Sequence, residues 1–228
     1  MHSASEYLDL SHAPAPVTFD EAAPVWEILG RIGALFDALE DAPRIAGDVS
    51  PAAHLGDRVW VGKGTVVEAG ATIQGPAWIG ENCTVRAGAY LRANVIAGEK
   101  VMMGNSCEFK NCILFDQAEA PHFNYVGDSL LGHRAHLGAG AILSNVRLDR
   151  GTIQVRSRDE EGAGIDTGLG KFGSVIGDGA EIGCNSVLSP GSLLGRNCLL
   201  YPGTQWRGVL PANQIVKLRQ QHLISTRH

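Results

Sequence analysis

Residues 79–96, IGENCT VRAGAY LRANVI, carry the pattern that decides the fold of this chain. Each six-residue unit begins with an aliphatic residue, and a small or branched residue follows four positions later. The pattern runs for eleven hexapeptides, from Val49 to Leu114, and the leading residues are Val49, Leu55, Val61, Val67, Ile73, Ile79, Val85, Leu91, Ala97, Met103 and Phe109. A short period held over this length predicts a parallel β-helix in which each hexapeptide forms one side of a coil.

Three hexapeptides make one coil of about eighteen residues, and coils stack about 4.8 Å apart, the ordinary spacing of β-strands. Gly and Asn between the sides supply the positive φ angles that tight corners require. Parallel crossovers are normally right-handed, but hexapeptides with small inward residues are the signature of the left-handed exception. The sequence therefore predicts an all-β solenoid, a left-handed parallel β-helix of hexapeptide repeats.

The period is interrupted twice within the predicted β-helix, which spans residues 49–210. The pattern is lost over residues 115–124 and resumes at Val126; it is lost again over residues 147–173 and resumes at Ile176. Loops that leave a stiff solenoid tend to close a binding site or to reach a neighbouring subunit. We therefore expect the functional residues near these two excursions.

The two ends of the chain lack the period. In the N-terminal region, residues 1–48, a capping box at Thr18–Glu21 precedes apolar residues at helical spacing, which predicts an amphipathic helix from Phe19 to Glu40. We expect this helix to cap the open end of the solenoid core. The C-terminal region, residues 211–228, is predicted to form a short helix and a tail.

Composition narrows the possible functions. The chain has 228 residues, 44% of them hydrophobic, and a net charge of −5; it has no basic stripe, which argues against nucleic acid as a partner. No apolar run is long enough to span a membrane, and the N-terminus does not begin like a secretory signal. The odd number of cysteines favours reduced thiols and a cytoplasmic protein. Cys83, Cys107 and Cys198 fall at inward positions, and Cys112 and Cys184 at turns.

Three motifs carry the candidate chemistry: Glu108-Phe-Lys110, then Ala120-Pro-His122-Phe-Asn-Tyr125-Val-Gly-Asp, then the stretch from His136 through Gly-Ala-Gly to Asn145. Together they resemble the acetyltransferase domain of the UDP-N-acetylglucosamine pyrophosphorylase/glucosamine-1-phosphate N-acetyltransferase family. The resemblance covers about residues 50–210 and is strongest to the archaeal sugar-1-phosphate versions. The family's pyrophosphorylase domain has no counterpart here, since residues 1–48 contain no glycine-rich nucleotide loop.

The resemblance implies an acetyl-CoA-dependent N-acetyltransferase that acts on an amino-sugar 1-phosphate, either glucosamine-1-phosphate or galactosamine-1-phosphate. His122 falls at the position of the general base, which suits an imidazole because it titrates near neutral pH. Glu108 would orient that imidazole, and the Ala139 amide would donate to the thioester oxyanion. The reaction needs no metal.

The same resemblance implies the binding residues and the assembly. Substrate-binding positions are matched by Arg92, Lys110, Tyr125, His136, Asn145 and Lys171, and positions that line acetyl-CoA by Cys184, Pro202 and Arg207. Arg92 and Lys110 are eighteen residues apart, one full coil, so we expect two stacked cations that clamp one phosphate. The family's sites lie between subunits, which implies a homotrimer.

Two departures from the family's pattern bear on substrate identity: His136 replaces an Asn, and Val146 replaces an aromatic residue. Two other classes of function stay open. One is a non-catalytic trimeric module that binds a sugar nucleotide or regulates a separate nucleotidyltransferase. The other is a γ-class carbonic-anhydrase-like metal enzyme, for which the candidate ligands are His122, His133 and His136, although His133 and His136 are spaced so that their side chains diverge.

Overall fold

A computed structural model describes residues 2–39, 44–156, 164–219, 221 and 223–227. The chain forms a left-handed parallel β-helix with three sheets. The first face contains the strands Asp48–Val49, Val66–Val67, Thr84–Val85, Met102–Asn105, Glu119–His122, His136–Leu137, Glu181–Ile182, Leu199–Leu200 and Ile215–Val216. The predicted fold class is confirmed.

The other two faces repeat the same parallel pairing. The second face contains His54–Leu55, Thr72–Ile73, Tyr90–Leu91, Glu108–Lys110, Tyr125–Gly127, Ile142–Leu143, Val187–Leu188 and Gln205–Trp206. The third face contains Val59–Val61, Ala77–Ile79, Val95–Ala97, Cys112–Leu114, Leu130–Leu131, Ser174–Ile176, Ser192–Leu194 and Val209–Leu210. Apolar side chains from all three faces fill the interior of the prism, and their burial is the main favourable term for the fold.

The coil length changes from eighteen to seventeen residues at one corner. Leu91 pairs with Phe109 across eighteen residues, whereas Ile96 pairs with Ile113 across seventeen. The corner between the second and third faces at Asn111, where φ is +47°, is therefore one residue shorter than the hexapeptide predicts. As a result Ile113 points out of the prism and Cys112 points in.

This slip corrects two predictions. Residues 115–124 do not leave the solenoid: Glu119–His122 is a strand of the first face that pairs with Met102–Asn105. The hexapeptide pattern is out of phase there because of the shorter corner before it. Cys112, expected at a turn, is a buried strand residue, and burial raises the pKa of its thiol.

The second interruption does leave the prism. Between Leu143 and Ser174 the chain makes an excursion that contains the antiparallel pair Gln154–Val155 and Ile165–Asp166. Ile153, Val155 and Phe172 bury side chains against the outer surface of the third face. Residues 157–163 of the predicted 147–173 excursion lie outside the described residues.

The N-terminal region differs from the predicted continuous helix. It contains the short α-helices Ala4–Tyr7 and Ile32–Leu35 and the 3₁₀-helices Leu10–His12, Val25–Gly30 and Phe36–Leu39, and Glu40 lies outside the described residues. Pro24 directly precedes the 3₁₀-helix Val25–Gly30. Helical φ/ψ angles are disfavoured for the residue before a proline, so one continuous helix cannot run from Phe19 through Pro24.

The N-terminal region also packs elsewhere than on the end of the prism. Its side chains Leu8, Trp26, Ile28, Ile32 and Phe36 form a second core with residues that point outward from the third face. That outward column reads Trp60, Trp78, Ile96, Ile113, Leu130, Val175, Leu193 and Val209. The prediction that this region caps the open end is therefore wrong: it covers one side of the prism.

The predicted C-terminal helix is absent from the described residues. Ile215–Val216 forms the last strand of the first face, paired with Leu199–Leu200. The first half of this region, from Pro211 to Val216, thus continues the hexapeptide fold for one more side.

Candidate functional site

The second face carries a pair of opposite charges on adjacent coils. Arg92 follows the strand Tyr90–Leu91, and its backbone N–H donates to the Phe109 carbonyl oxygen, which places it beside the strand that starts at Glu108. The Arg92 Nη1 donates to Glu108 Oε1 at 3.0 Å, with 41% of the Arg92 side chain and 35% of the Glu108 side chain exposed. This hydrogen bond raises the pKa of Arg92. In this structure Glu108 therefore engages Arg92 and not the His122 imidazole that it was predicted to orient.

One coil further along, a buried carboxylate organises the predicted substrate residues. Asp128 accepts hydrogen bonds from Lys110 Nζ at 3.2 Å and 3.3 Å, from Asn111 Nδ2 at 3.0 Å and from Asn145 Nδ2 at 2.5 Å. The Asp128 side chain is only 6% exposed. A buried charge of this kind needs a paired cation and full hydrogen bonding, so Lys110 serves first as the counterion of Asp128.

Asp128 is a member of the site that the sequence motifs did not predict. The signal for it is the Gly-Asp that ends the Tyr125 motif, because Asp128 falls one shortened coil after Asn111, whose side chain it binds. Gly127 leaves room beside it, since a Cβ there would lie 2.6 Å from the Tyr125 hydroxyl and 2.8 Å from Asn145 Nδ2 and would displace these side chains. The expected pair of free cations is thus a balanced cluster of two cations and two carboxylates.

Tyr125 and Lys171 border this cluster. Tyr125 is half-buried, and that burial raises its pKa, while a hydrogen bond from Asn145 acts in the opposite direction. Lys171 is exposed at the end of the excursion, next to Phe172, whose N–H donates to the Asn145 carbonyl oxygen at 3.0 Å. The structure therefore gathers Arg92, Lys110, Tyr125 and Asn145 on one face. Lys171 lies near Asn145 because the next residue, Phe172, is hydrogen-bonded to the Asn145 backbone.

His122 and Ala139 lie at successive corners between the first and second faces. His122 ends its strand with an exposed side chain, and its carbonyl oxygen accepts from the Gly140 N–H at 3.0 Å. Within the described residues the His122 imidazole has no hydrogen-bond partner, and the Ala139 N–H donates to no acceptor. The candidate base and the candidate oxyanion donor are therefore both available to a bound substrate.

His136 groups with the predicted cofactor residues and not with the substrate cluster. A groove of about 300 Å³ on the first face is lined by His136, Gly138, Cys184 and Pro202, among others. The His136 Nδ1 lies 3.0 Å from Glu181 Oε2. The structure thus brings together two of the three predicted acetyl-CoA residues and adds His136, which was assigned to the substrate.

Arg207 is separated from these residues within one chain. It follows the second-face strand Gln205–Trp206 and lines a different cavity of about 490 Å³, shared with Arg147 and Ser189 among others. The Arg147 guanidinium is bound to Asp149, whereas Arg207 has no ion-pair partner among the described residues. The cofactor set predicted from the sequence is therefore split between two corners of the prism.

The candidate metal ligands do not converge within one chain. His133 stacks on His12 with ring centroids 3.7 Å apart, and its Nδ1 lies 2.8 Å from the Asp116 carbonyl oxygen. In the described part of the chain, no group of three or more His, Cys, Asp or Glu side chains is placed to hold a metal ion. Nor does that part contain a helix of the length and apolar character needed to cross a membrane.

Comparison with known proteins agrees with this architecture. Residues 52–93 match the bacterial transferase hexapeptide family of six repeats, and residues 73–158 match the GMPPB C-terminal domain. The uncharacterized acetyltransferase YaiX of Escherichia coli O6:K15:H31 is 40% identical over 154 residues, covering 68% of this chain and 65% of YaiX. The bifunctional protein GlmU of Methanococcus aeolicus is 30% identical over 99 residues, covering 43% of this chain and 23% of GlmU.

The name of a third relative combines nucleotidyl transfer and acetyl transfer. The bifunctional sugar-1-phosphate nucleotidylyltransferase/acetyltransferase of Sulfurisphaera tokodaii is 32% identical over 99 residues, covering 43% of this chain and 24% of the relative. The solved acetyltransferase domain of PglB from Neisseria gonorrhoeae aligns over 87% of this chain and 72% of its own, with 16% identity and a TM-score of 0.26.

These matches define the class of protein. The chain is a hexapeptide-repeat β-helix that is similar in sequence to acetyltransferases. More particularly, the resemblance to the acetyltransferase part of the GlmU-like sugar-1-phosphate enzymes is confirmed, and the aligned segment spans only about a quarter of those relatives.

Proposed function

We propose that this protein transfers the acetyl group of acetyl-CoA to the amine of an amino-sugar 1-phosphate, glucosamine-1-phosphate or galactosamine-1-phosphate. The observation that carries the proposal is that two candidate catalytic groups lie at adjacent corners of the prism. Within the described residues, the exposed His122 imidazole has no hydrogen-bond partner, and the Ala139 N–H one coil away donates to no acceptor. The Gly140 N–H joins the two corners by donating to the His122 carbonyl oxygen. A base and an oxyanion donor at adjacent positions are what aminolysis of a thioester requires.

In the proposed reaction, the neutral amine attacks the thioester carbonyl carbon, and the carbonyl oxygen, which becomes an oxyanion, accepts a hydrogen bond from Ala139. His122 takes the proton that the nitrogen loses. The C–S bond then breaks, and the leaving thiolate of CoA takes up the proton held by the imidazolium. The groove lined by Cys184 and Pro202 would hold the pantetheine arm, because it is open, mostly apolar and continuous with Gly138.

The substrate phosphate would bind through Arg92. Lys110 is committed to the buried Asp128, but Arg92 is the more exposed cation and its partner Glu108 is also at the surface. A phosphate dianion can replace one carboxylate oxygen on a guanidinium and form two charge-assisted hydrogen bonds. This modifies the two-cation clamp expected from the sequence, with Arg92 as the main phosphate ligand.

The assembly proposed is a homotrimer. In the described part of the chain, residues of the N-terminal region cover the third face, which leaves the first and second faces for neighbouring subunits. Arg207 lies away from Cys184 and Pro202 in one chain, and a neighbouring subunit would supply it to the cofactor groove. Acetyl-CoA as co-substrate, together with reduced cysteines, fits a cytoplasmic protein.

The test is acetyl-CoA turnover by the purified full chain, measured as thiol release, with glucosamine-1-phosphate, galactosamine-1-phosphate, both unphosphorylated sugars and their nucleotide-linked forms. We expect turnover of a 1-phosphate and, for His122→Ala, a kcat lowered about 10²-fold or more with little change in KM. His54→Ala, which removes an exposed histidine of the second face, is the matched control and should retain full activity.

Two results would contradict the proposal. Equal rates for His122→Ala and the native protein would remove the general base. An absence of turnover with every acceptor, together with tight binding of a nucleotide sugar, would favour the non-catalytic binding module instead. Light scattering at micromolar concentration tests the trimer independently, and a monomeric mass would overturn it.

A further inference from the structure

A polar side chain lies inside the prism where the other coils have small residues. The inward column at the corner between the first and second faces reads Ala53, Ala71, Ala89, Cys107, Asn124, Ala141, Ser186 and Thr204, as the backbone ladder shows. Asn124 is the only amide in this column and is 2% exposed. Burying an amide is costly unless it is hydrogen-bonded, so its partners indicate why it is there.

The Asn124 side chain joins two successive corners. Its Oδ1 accepts from the His122 N–H at 3.1 Å, and its Nδ2 donates to the Gly138 carbonyl oxygen at 2.8 Å and to that of Ala141 at 3.4 Å. The Gly140 N–H in turn donates to the His122 carbonyl oxygen at 3.0 Å. The backbone of His122 is thus held from both sides to the corner that contains Ala139.

The corner beside Asn124 has a backbone conformation that its residue does not favour. Phe123 has a φ of +53°, and the corresponding residues of the adjacent coils are Ser106 and Gly140. A bulky side chain at positive φ is an outlier that persists only where its surroundings fix it. Phe123 is also 61% exposed, so its own packing contributes little, and hydrogen bonds hold this conformation: the Phe123 N–H donates to the Asn105 carbonyl oxygen at 3.0 Å, and the Asn124 side chain fixes the residues on either side.

We propose that Asn124 is the positioning residue of the reaction: it fixes the backbone of His122 relative to the Ala139 N–H, so that base and oxyanion donor face one thioester. This inference rests on the proposed acetyl transfer for its catalytic part. Asn124 touches neither substrate nor cofactor and acts through His122. A small error in such a geometry is costly, since misplacement by about 1 Å can reduce a rate about 10²-fold.

The test compares Asn124→Ala with Thr65→Val. Alanine occupies the same column in four other coils, so the variant has a side chain that this corner accepts. Thr65 is the matched control: it is also buried, its Oγ1 donates to the Gly80 carbonyl oxygen at 2.6 Å, and it accepts from the Cys83 N–H at 2.9 Å, far along the chain from His122. Each variant removes hydrogen bonds that join adjacent coils.

We expect Asn124→Ala to lower kcat about tenfold or more, with little change in KM for acetyl-CoA, and Thr65→Val to leave both unchanged. The decisive measurement is the double variant with His122→Ala. If Asn124 acts through His122, its loss should cost no more than about twofold in that background, because the effects of coupled residues do not add. Equal losses in both backgrounds would show a merely structural role and overturn the proposal.

Hydrogen–deuterium exchange separates this inference from the proposed function. Asn124→Ala should speed exchange of the Gly140 amide and its neighbours at least tenfold, while Thr65→Val should not, whether or not the protein turns over any acceptor tested. Faster exchange without turnover by the native protein would refute the acetyl transfer and leave the coupling intact. Unchanged exchange at Gly140 would overturn the coupling itself.

Discussion

The outer surfaces of the third and second faces are built from the same repeat, but the first of them is buried and the other is exposed to solvent. On the third face the outward residues Trp60, Ile96 and Ile113 are buried under the N-terminal region. On the second face the residues at the matching positions of the coil include Tyr90, Glu108 and Tyr125, which stay partly exposed.

The difference shows how a solenoid with three similar sides acquires one functional side. The inward positions carry apolar residues at regular intervals along the chain, and these side chains fill the core on every face. The outward positions are free of that constraint, so the third face can be apolar and bind the N-terminal region while the second face keeps its charges in contact with solvent. The predictions below test how much stability residues of the covered and the open face contribute, and whether ligand binding belongs to the open one.

The largest effect is expected from Phe36→Ala. Phe36 is fully buried on the covered face, 5.9 Å from the Trp60 ring, and removing such a side chain typically costs about 3–5 kcal/mol of unfolding free energy. The matched control is Phe123→Ala, which removes an exposed ring and should change stability by about 0.5 kcal/mol or less. Urea unfolding at one protein concentration measures both, and similar losses would break the comparison.

The next effect distinguishes the two ion pairs of the open face. Lys110→Met leaves the buried Asp128 carboxylate without its cation and should destabilise the protein by about 3 kcal/mol. Arg92→Ala breaks a pair in which both side chains are more exposed, and should cost about 0–1 kcal/mol. A larger loss for Arg92→Ala in the same unfolding experiment would mean that Lys110 is not the structural cation.

A smaller effect is expected on substrate binding. Arg92→Ala should raise KM for the sugar 1-phosphate about tenfold, because a charge-assisted hydrogen bond contributes about 1.5–3 kcal/mol. Unphosphorylated amino sugars should be poor acceptors for the native protein and insensitive to the substitution. If the free sugar is acetylated as well as its 1-phosphate, steady-state kinetics would exclude Arg92 as a phosphate ligand.

The smallest effect is a pH dependence at the edge of the covered face. Asp178 Oδ2 accepts from the Asp9 N–H at 2.5 Å and its Oδ1 from the His133 N–H at 2.8 Å, and burial raises the pKa of its carboxyl above the ordinary 3.8. The folded state therefore holds this proton more tightly than the unfolded state. The contribution of Asp178 to stability is greatest below pH 3.8 and declines as pH rises through the raised pKa.

Replacing Asp178 by Asn removes that titration. The unfolding free energy of Asp178→Asn relative to the native protein should increase with pH across the window from about pH 4 upward, until the native carboxyl is fully ionised. Chemical unfolding at a series of pH values measures the difference. A difference that stays flat, or that falls with pH, would contradict the direction assigned to this carboxyl.

The sequence predicted the fold class and most of the open face. The inward aliphatic column from Val49 to Phe109 and the eighteen-residue spacing of Arg92 and Lys110 follow from periodicity, which is a local property of the chain. The motifs also gave His122, Tyr125 and Asn145 as candidate site residues. The roles given to the site residues stay predictions until the variants are measured.

The errors have two kinds of cause: Pro24 breaks the N-terminal helix locally, whereas the others depended on how separate segments pair and pack. The short corner at Asn111 shifted the phase of the repeat, so a regular coil looked like an excursion at residues 115–124. The N-terminal apolar stripe showed that the region packs on something, but not that its partner is the column containing Trp60. The role of Asp128 was missed because its hydrogen-bond donors come from two other coils.

The sequence by itself determined that this chain is a hexapeptide-repeat prism, because a six-residue period of inward aliphatic residues held over eleven repeats is the signature of a β-helix. Only the tertiary structure decided which side of the prism is covered, which charges neutralise each other and which corner carries a buried Asn124. Those outcomes depend on which outward residues of separate coils come within hydrogen-bonding or van der Waals distance, and a repeat that is equivalent on three faces does not specify them.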